Sequence, residues 1–184
     1  MEQPQSFTAF LDGALIASGP LDRILAAVKP RFDDDPGAPI LIFEDETGQQ
    51  VDFDLRGSLA DVVARATPAR VRSGPGRPKL GVVAREISLL PRHWEWLEKQ
   101  PNGASAAIRR LVDEARKRDP EAERRRLAIE AASRFLSAMA GNLPNYEEAT
   151  RALFARSWER LGELIAGWPE DIRGYVERLT ARVA

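Results

Sequence analysis

The chain reads as an α+β protein. Two apolar runs flank Asp12-Gly13, an apolar run at residues 40–43 precedes an alternating one at 51–55, and apolar residues recur at helical spacing throughout the C-terminal third. The first element is a hairpin, because Asp-Gly supplies the positive φ angles that a two-residue connection requires. Pro20 starts a helix whose apolar residues are Leu21, Ile24, Leu25 and Val28, and Lys29-Pro30 is expected to end it. The acidic Asp33-Asp34-Asp35 is a loop, and Ile40, Leu41, Ile42 and Phe43 make a strand buried on both faces. Val51, Phe53 and Leu55 alternate with Asp52 and Asp54, the pattern of a half-buried fourth strand. Ser58 with Asp61 forms a capping box for a helix through Arg65, which completes a small ββαββα unit.

A short strand is expected over residues 83–90, ending at Pro91, where a first helix starts with Leu90, Trp94 and Leu97 as its apolar stripe. Pro101-Asn102-Gly103 breaks that helix. Ser105 is placed to cap a second, whose face of Ala107, Ile108, Leu111, Val112 and Ala115 is expected to be buried. Beyond it, Leu127, Ala131, Phe135, Ala138 and Met139 mark one helix that stops near Gly141-Asn142. Asn145 and Glu148 cap a second helix carrying Ala149, Leu153, Phe154, Trp158, Leu161 and Ile165. A third follows Gly167-Trp168-Pro169 with Ile172, Val176, Leu179 and Val183, so the tail is a three-helix subdomain.

The formal charge of the 184 residues is −1, a total that hides segregation. Residues 1–66 carry 5 bases and 12 acids, residues 67–118 carry 12 and 5, and residues 119–184 carry 10 and 11. Composition therefore divides the chain into an acidic α+β domain at 1–66, a basic Pro/Gly linker at 67–81, a strand-helix-helix element at 82–118 and a helical subdomain at 119–184. A basic middle segment meets a polyanion or is held by the acidic head.

The absence of cysteine excludes disulfides, thiol nucleophiles and thiolate metal sites, and one histidine, His93, excludes a multi-histidine metal centre. No spacing gives His93 an acid partner, so it reads as a surface or interface residue, and the chain reads as a non-enzyme with no cofactor and no metal. The acids at 33–35, 44–46, 52 and 54 lack EF-hand spacing and read as solvated. The N-terminal segment has no signal-peptide pattern and no stretch is apolar enough for a spanning helix, so a cytoplasmic protein without membrane association is expected.

The segments REISLLPRHWEWL and GASAAIRRLVDEA resemble the ribbon-helix-helix DNA-binding family. That resemblance implies a homodimer whose paired strands enter the major groove, with Arg85 and Ser88 as groove-side candidates and Ser105 at a phosphate. Alternation sets Arg85 with Ile87 and Leu89, and Ser88 with Glu86 and Leu90, so the two cannot share one face. Arg70, Arg72, Arg77 and Lys79 in the linker read as phosphate contacts or as a tether that is basic for solubility, and Arg109 on the second helix is a further phosphate candidate. Trp94 and Trp96 lie about 200° apart on a helix, which assigns Trp94 to the core and Trp96 to an interface. Across nearly its whole length the chain resembles an uncharacterised bacterial family, domain of unknown function 2239. The segments that carry this likeness are SFTAFLDGALIASGPL, ILIFEDETGQQVDFDLRG, GRPKLGVVAREISLLPRHWEWL and RFLSAMAGNLPNYEEATRALF. The functional expectation is a dimeric DNA-binding protein, a transcriptional regulator contacting duplex DNA. Its alternative is a non-enzymatic adaptor whose acidic N-terminal domain docks on the basic middle or on a protein partner.

Overall fold

Asp12 and Gly13 take φ angles of 50° and 82°, and on that turn β1 (Phe7–Leu11) folds back against β2 (Ala14–Gly19). The computed structural model describes residues 5–67, 85–181 and 183. The sheet is completed by β3 (Ile40–Glu44), antiparallel to the other side of β1, giving the order β2-β1-β3. Its helices are α1 (Leu21–Asp34), α2 (Leu59–Ala66), α3 (Pro91–Glu98), α4 (Gly103–Arg118), α5 (Pro120–Met139), α6 (Tyr146–Phe154), α7 (Trp158–Ile165) and α8 (Glu170–Thr180). The described residues fall into two units, one formed by 5–67 with 124–181 and the other by 85–123.

In the first unit successive residues of β1 and β3 point to opposite faces, and both faces are covered. Phe7, Ala9 and Ile42 pack on Ile24, Leu25 and Val28 of α1 and Val62 of α2. Phe10 and Phe43 pack on the other side against Phe135 of α5 and Tyr175 of α8. The Phe10, Phe43 and Tyr175 rings lie 5.4, 5.1 and 4.4 Å from the Phe135 ring, in tilted and edge-on arrangements. The composition boundaries at 66 and 119 thus mark changes of charge, while one core joins the head of the chain to its tail.

Four elements differ from expectation. α1 runs through Pro30 to Asp34, because Ala26, whose carbonyl loses its partner, and Pro30 itself both lie on the exposed side. The fourth strand does not form. Val51 N–H donates to Ile42 O at 2.8 Å beside a single Phe43–Gln50 bridge, after which the Arg65 guanidinium binds the carbonyls of Asp54 and Arg56. The alternation is still realised, with Leu55 buried, Val51 and Phe53 partly so, and Asp52 and Asp54 exposed. The tail has four helices, since Arg156 adopts φ 58° and divides the expected second one into α6 and α7. That break leaves Phe154 56% exposed at the end of α6, where burial was expected. The expected caps hold for α2, where Ser58 and Asp61 exchange both bonds of the box, but not for α6, where the Asn145 side-chain amide turns to Leu164 O instead.

Candidate functional site

The second unit holds the segment singled out for nucleic-acid contact, and its helices form as expected, with Pro91 in the first turn of α3. Residues 85–90 carry no strand, and residues 83 and 84 lie outside the described residues. Asn102, in the left-handed conformation at φ 65°, turns the chain into α4, so Ser105 sits inside the first turn and is not the cap. Its carbonyl instead accepts from Arg109 Nε at 3.1 Å, and its hydroxyl accepts from Arg109 Nη2 at 3.4 Å. Glu114 pairs with Arg110 at 3.8 Å, four residues before it, and Arg116, Lys117 and Arg118 end the helix where cations complement its dipole.

The apolar faces of this unit are largely open. Among the described residues Leu97 and Ala107 are its buried side chains; of the expected core of α4 Ala107 is therefore buried, while Leu111 at 42% and Val112 at 50% are exposed. Trp94 is 37% exposed and is not a core residue, because of the α3 stripe only Leu97 is buried; Trp96 is 48% exposed. A cavity of about 640 Å³ runs between Ile87 and Leu89 on one side, Arg92, His93 and Trp96 of α3 on the second, and α4 on the third. Its walls are almost wholly apolar. Ile87 and Leu89 line it, whereas Arg85, Glu86, Ser88 and Leu90 do not. Arg85 and Ser88 are both exposed; Arg70, Arg72, Arg77 and Lys79 lie outside the described residues.

The first unit contains a polar cluster that sequence reasoning missed. Asp45, only 5% exposed, accepts from Ser6 Oγ at 2.6 Å, Thr8 Oγ1 at 2.7 Å and Tyr175 Oη at 2.9 Å, and its backbone N–H donates to Ser6 O at 2.8 Å. Arg178 donates to Thr8 Oγ1 at 3.3 Å and lies 4.8 Å from the Tyr175 ring centroid. The hydroxyls are spent on the carboxylate, so the cluster ties strand edges to α8 and presents no activated nucleophile. Spacing alone makes Asp45 a solvated loop acid, because the partners that bury it lie 37 and 130 residues away. Elsewhere the acids are separate: Arg56 holds the Asp54 carboxyl well below the usual carboxylate range, and the Ser58 hydroxyl lowers Asp61. Among the described residues no group of three or more His, Asp or Glu is placed to hold a metal ion, and no helix is long and apolar enough to cross a membrane.

Burial, and after it the neighbouring Asp45 charge, push the Tyr175 phenol above its ordinary value of 10.0. Unfolding releases that constraint, so the unfolded chain loses the proton first as pH rises. The contribution to stability is complete below about pH 10 and declines above it. Chemical denaturation from about pH 9 to 11 should show a steeper loss of stability in the wild type than in Tyr175→Phe. Parallel curves would refute the linkage.

A family described as an uncharacterised protein conserved in bacteria, DUF2239, matches residues 6–180, so the match spans both units. The chain belongs to DUF2239. No curated protein and no solved structure matches it. The function of this DUF2239 chain must therefore be read from its two units, of which the first is closed around its core and the second is open.

Proposed function

We propose that the protein is a dimeric DNA-binding protein, a transcriptional regulator, in which the basic linker and the strand-helix-helix element contact phosphates. The observation that carries this reading is the open apolar face of the second unit, with Leu111, Val112, Trp96 and Ile87 all between 42% and 52% exposed. An element this small rarely encloses a core alone, and below roughly 40 residues association commonly supplies what is missing. A two-fold copy covers such a face with itself, and residues 85–90, without a strand partner in one chain, then have an equivalent segment to pair with. Arg109 and the cations at 116–118 on α4, together with Arg70, Arg72, Arg77 and Lys79, supply the charge for a phosphate backbone.

Duplex binding should weaken steeply with salt. Replacing Arg77 and Lys79 by alanine should lower affinity by a similar factor on unrelated duplexes and reduce the slope of log K against log salt by about 0.9 for each phosphate that is no longer neutralised. No retardation of any duplex at low ionic strength would remove the DNA reading in favour of the adaptor. Val112→Asp should give a folded monomer in sedimentation equilibrium, and a wild type that is itself monomeric would remove the ribbon.

A further inference from the structure

His93 is the only histidine of the chain, and it lies in the wall of the apolar cavity. Its neighbours three and four positions away on and before α3 are Leu89, Leu90, Trp96 and Leu97, all apolar. From α4 the wall is built by Ile108, Leu111, Val112 and Ala115, none of which titrates, and from the preceding segment by Ile87 and Leu89. Arg92 is the one other charged group of the lining, and it is a cation. Among the described residues, no acid lines this face and neither His93 nor Arg92 has a side-chain partner.

These placements set what covering the face does to each cation. Arg92 has a long aliphatic stem that lies along an apolar surface while its guanidinium reaches the rim. The imidazole is held one carbon from the backbone and has no such reach. A second copy that lays the same lining on this one brings a further Arg92 and His93 and no acid from that lining. An imidazolium there loses water and gains only like charge, whereas the neutral ring loses little. We propose that His93 makes self-association of the chain pH-sensitive, with the dimer formed while His93 is neutral and dissociating as it takes up a proton. This rests on the dimeric reading above and adds its regulation.

The sign follows from linkage: two protons bind to the separated chains and none to the dimer. Association is therefore strongest above the histidine range and lost below it. Across the range in which imidazoles change charge, from about pH 7.5 to 5.5, the dimer dissociation constant should rise on the order of 100-fold, roughly tenfold for each of two histidines. Sedimentation equilibrium of the full chain at these two pH values tests it, with far-UV circular dichroism confirming that the fold persists at the lower one. His93→Gln, neutral at both, should keep the tighter association throughout, and His93→Lys, charged at both, should weaken it throughout. A wild-type dimer indifferent to pH, or a His93→Gln variant with the wild-type pH response, would overturn the assignment while leaving the dimer in place. A wild-type monomer at both pH values would overturn the dimer itself.

Discussion

Gly48→Ala should lose about 4 kcal/mol or more of folding stability, a fall in melting temperature of about 10 °C for a chain of this size. Gly48 is buried at φ 65° in the turn after β3, and a Cβ there would sit 2.2 Å from Ala131 O and 2.6 Å from Ala131 Cα. Both atoms belong to the backbone of α5, so no side-chain rotation relieves the clash. The turn must withdraw from the helix, and the 2.6 Å bond that Arg134 Nη1 donates to Thr47 O goes with it. Gly174→Ala is the internal comparison. It lies exposed within α8 with nothing within 4 Å of a new Cβ, and alanine there should stabilise by roughly 0.5–1 kcal/mol. Equal melting temperatures for the two variants would show that the turn does not press on α5.

Asp45→Ala should cost about 3–5 kcal/mol. The substitution deletes the acceptor shared by Ser6, Thr8 and Tyr175 and leaves hydroxyls in a closed site without it, and each such loss costs roughly 1–3 kcal/mol. Asp45→Asn keeps one acceptor oxygen and should lose less. Tyr175→Phe, which removes one donor and leaves the carboxylate its other partners, should lose less still. Urea denaturation of the three variants gives the order, and an Asp45→Ala protein as stable as wild type would show that the cluster is solvated rather than a tie between the sheet and α8.

What is legible in the residues is local. Asp12-Gly13 specifies a turn, Ser58 and Asp61 specify a cap, and the continuous apolar run at 40–43 indicates a strand with two covered faces, which Ile42 and Phe43 then divide between the two cores. What is not legible depends on partners distant in sequence or on backbone turns without a glycine. Pro30 carries the signal of a helix end, yet its exposed position lets α1 continue. Residues 51–55 have the alternation of a strand, but the Arg65 guanidinium takes the carbonyls that a ladder would use. Arg156 has no glycine to announce its positive φ, and Asn102 makes the turn into α4 that the capping pattern gives to Ser105.

The candidate site divides in the same way. The exposure of Trp96 follows from its angular offset, whereas the stripe that includes Trp94 points to a core that does not enclose it. By itself the sequence determined the α+β class, the family, the hairpin, the positions of most helices and the concentration of positive charge in the middle of the chain. Only the tertiary structure decided that the acidic head and the helical tail close around one aromatic cluster, that Asp45 is buried within reach of Tyr175, and that the apolar faces of α3 and α4 stay open. The reason is physical: a turn or cap is settled by groups a few residues apart, while burial depends on which surfaces meet, and those surfaces lie more than a hundred residues apart along the chain.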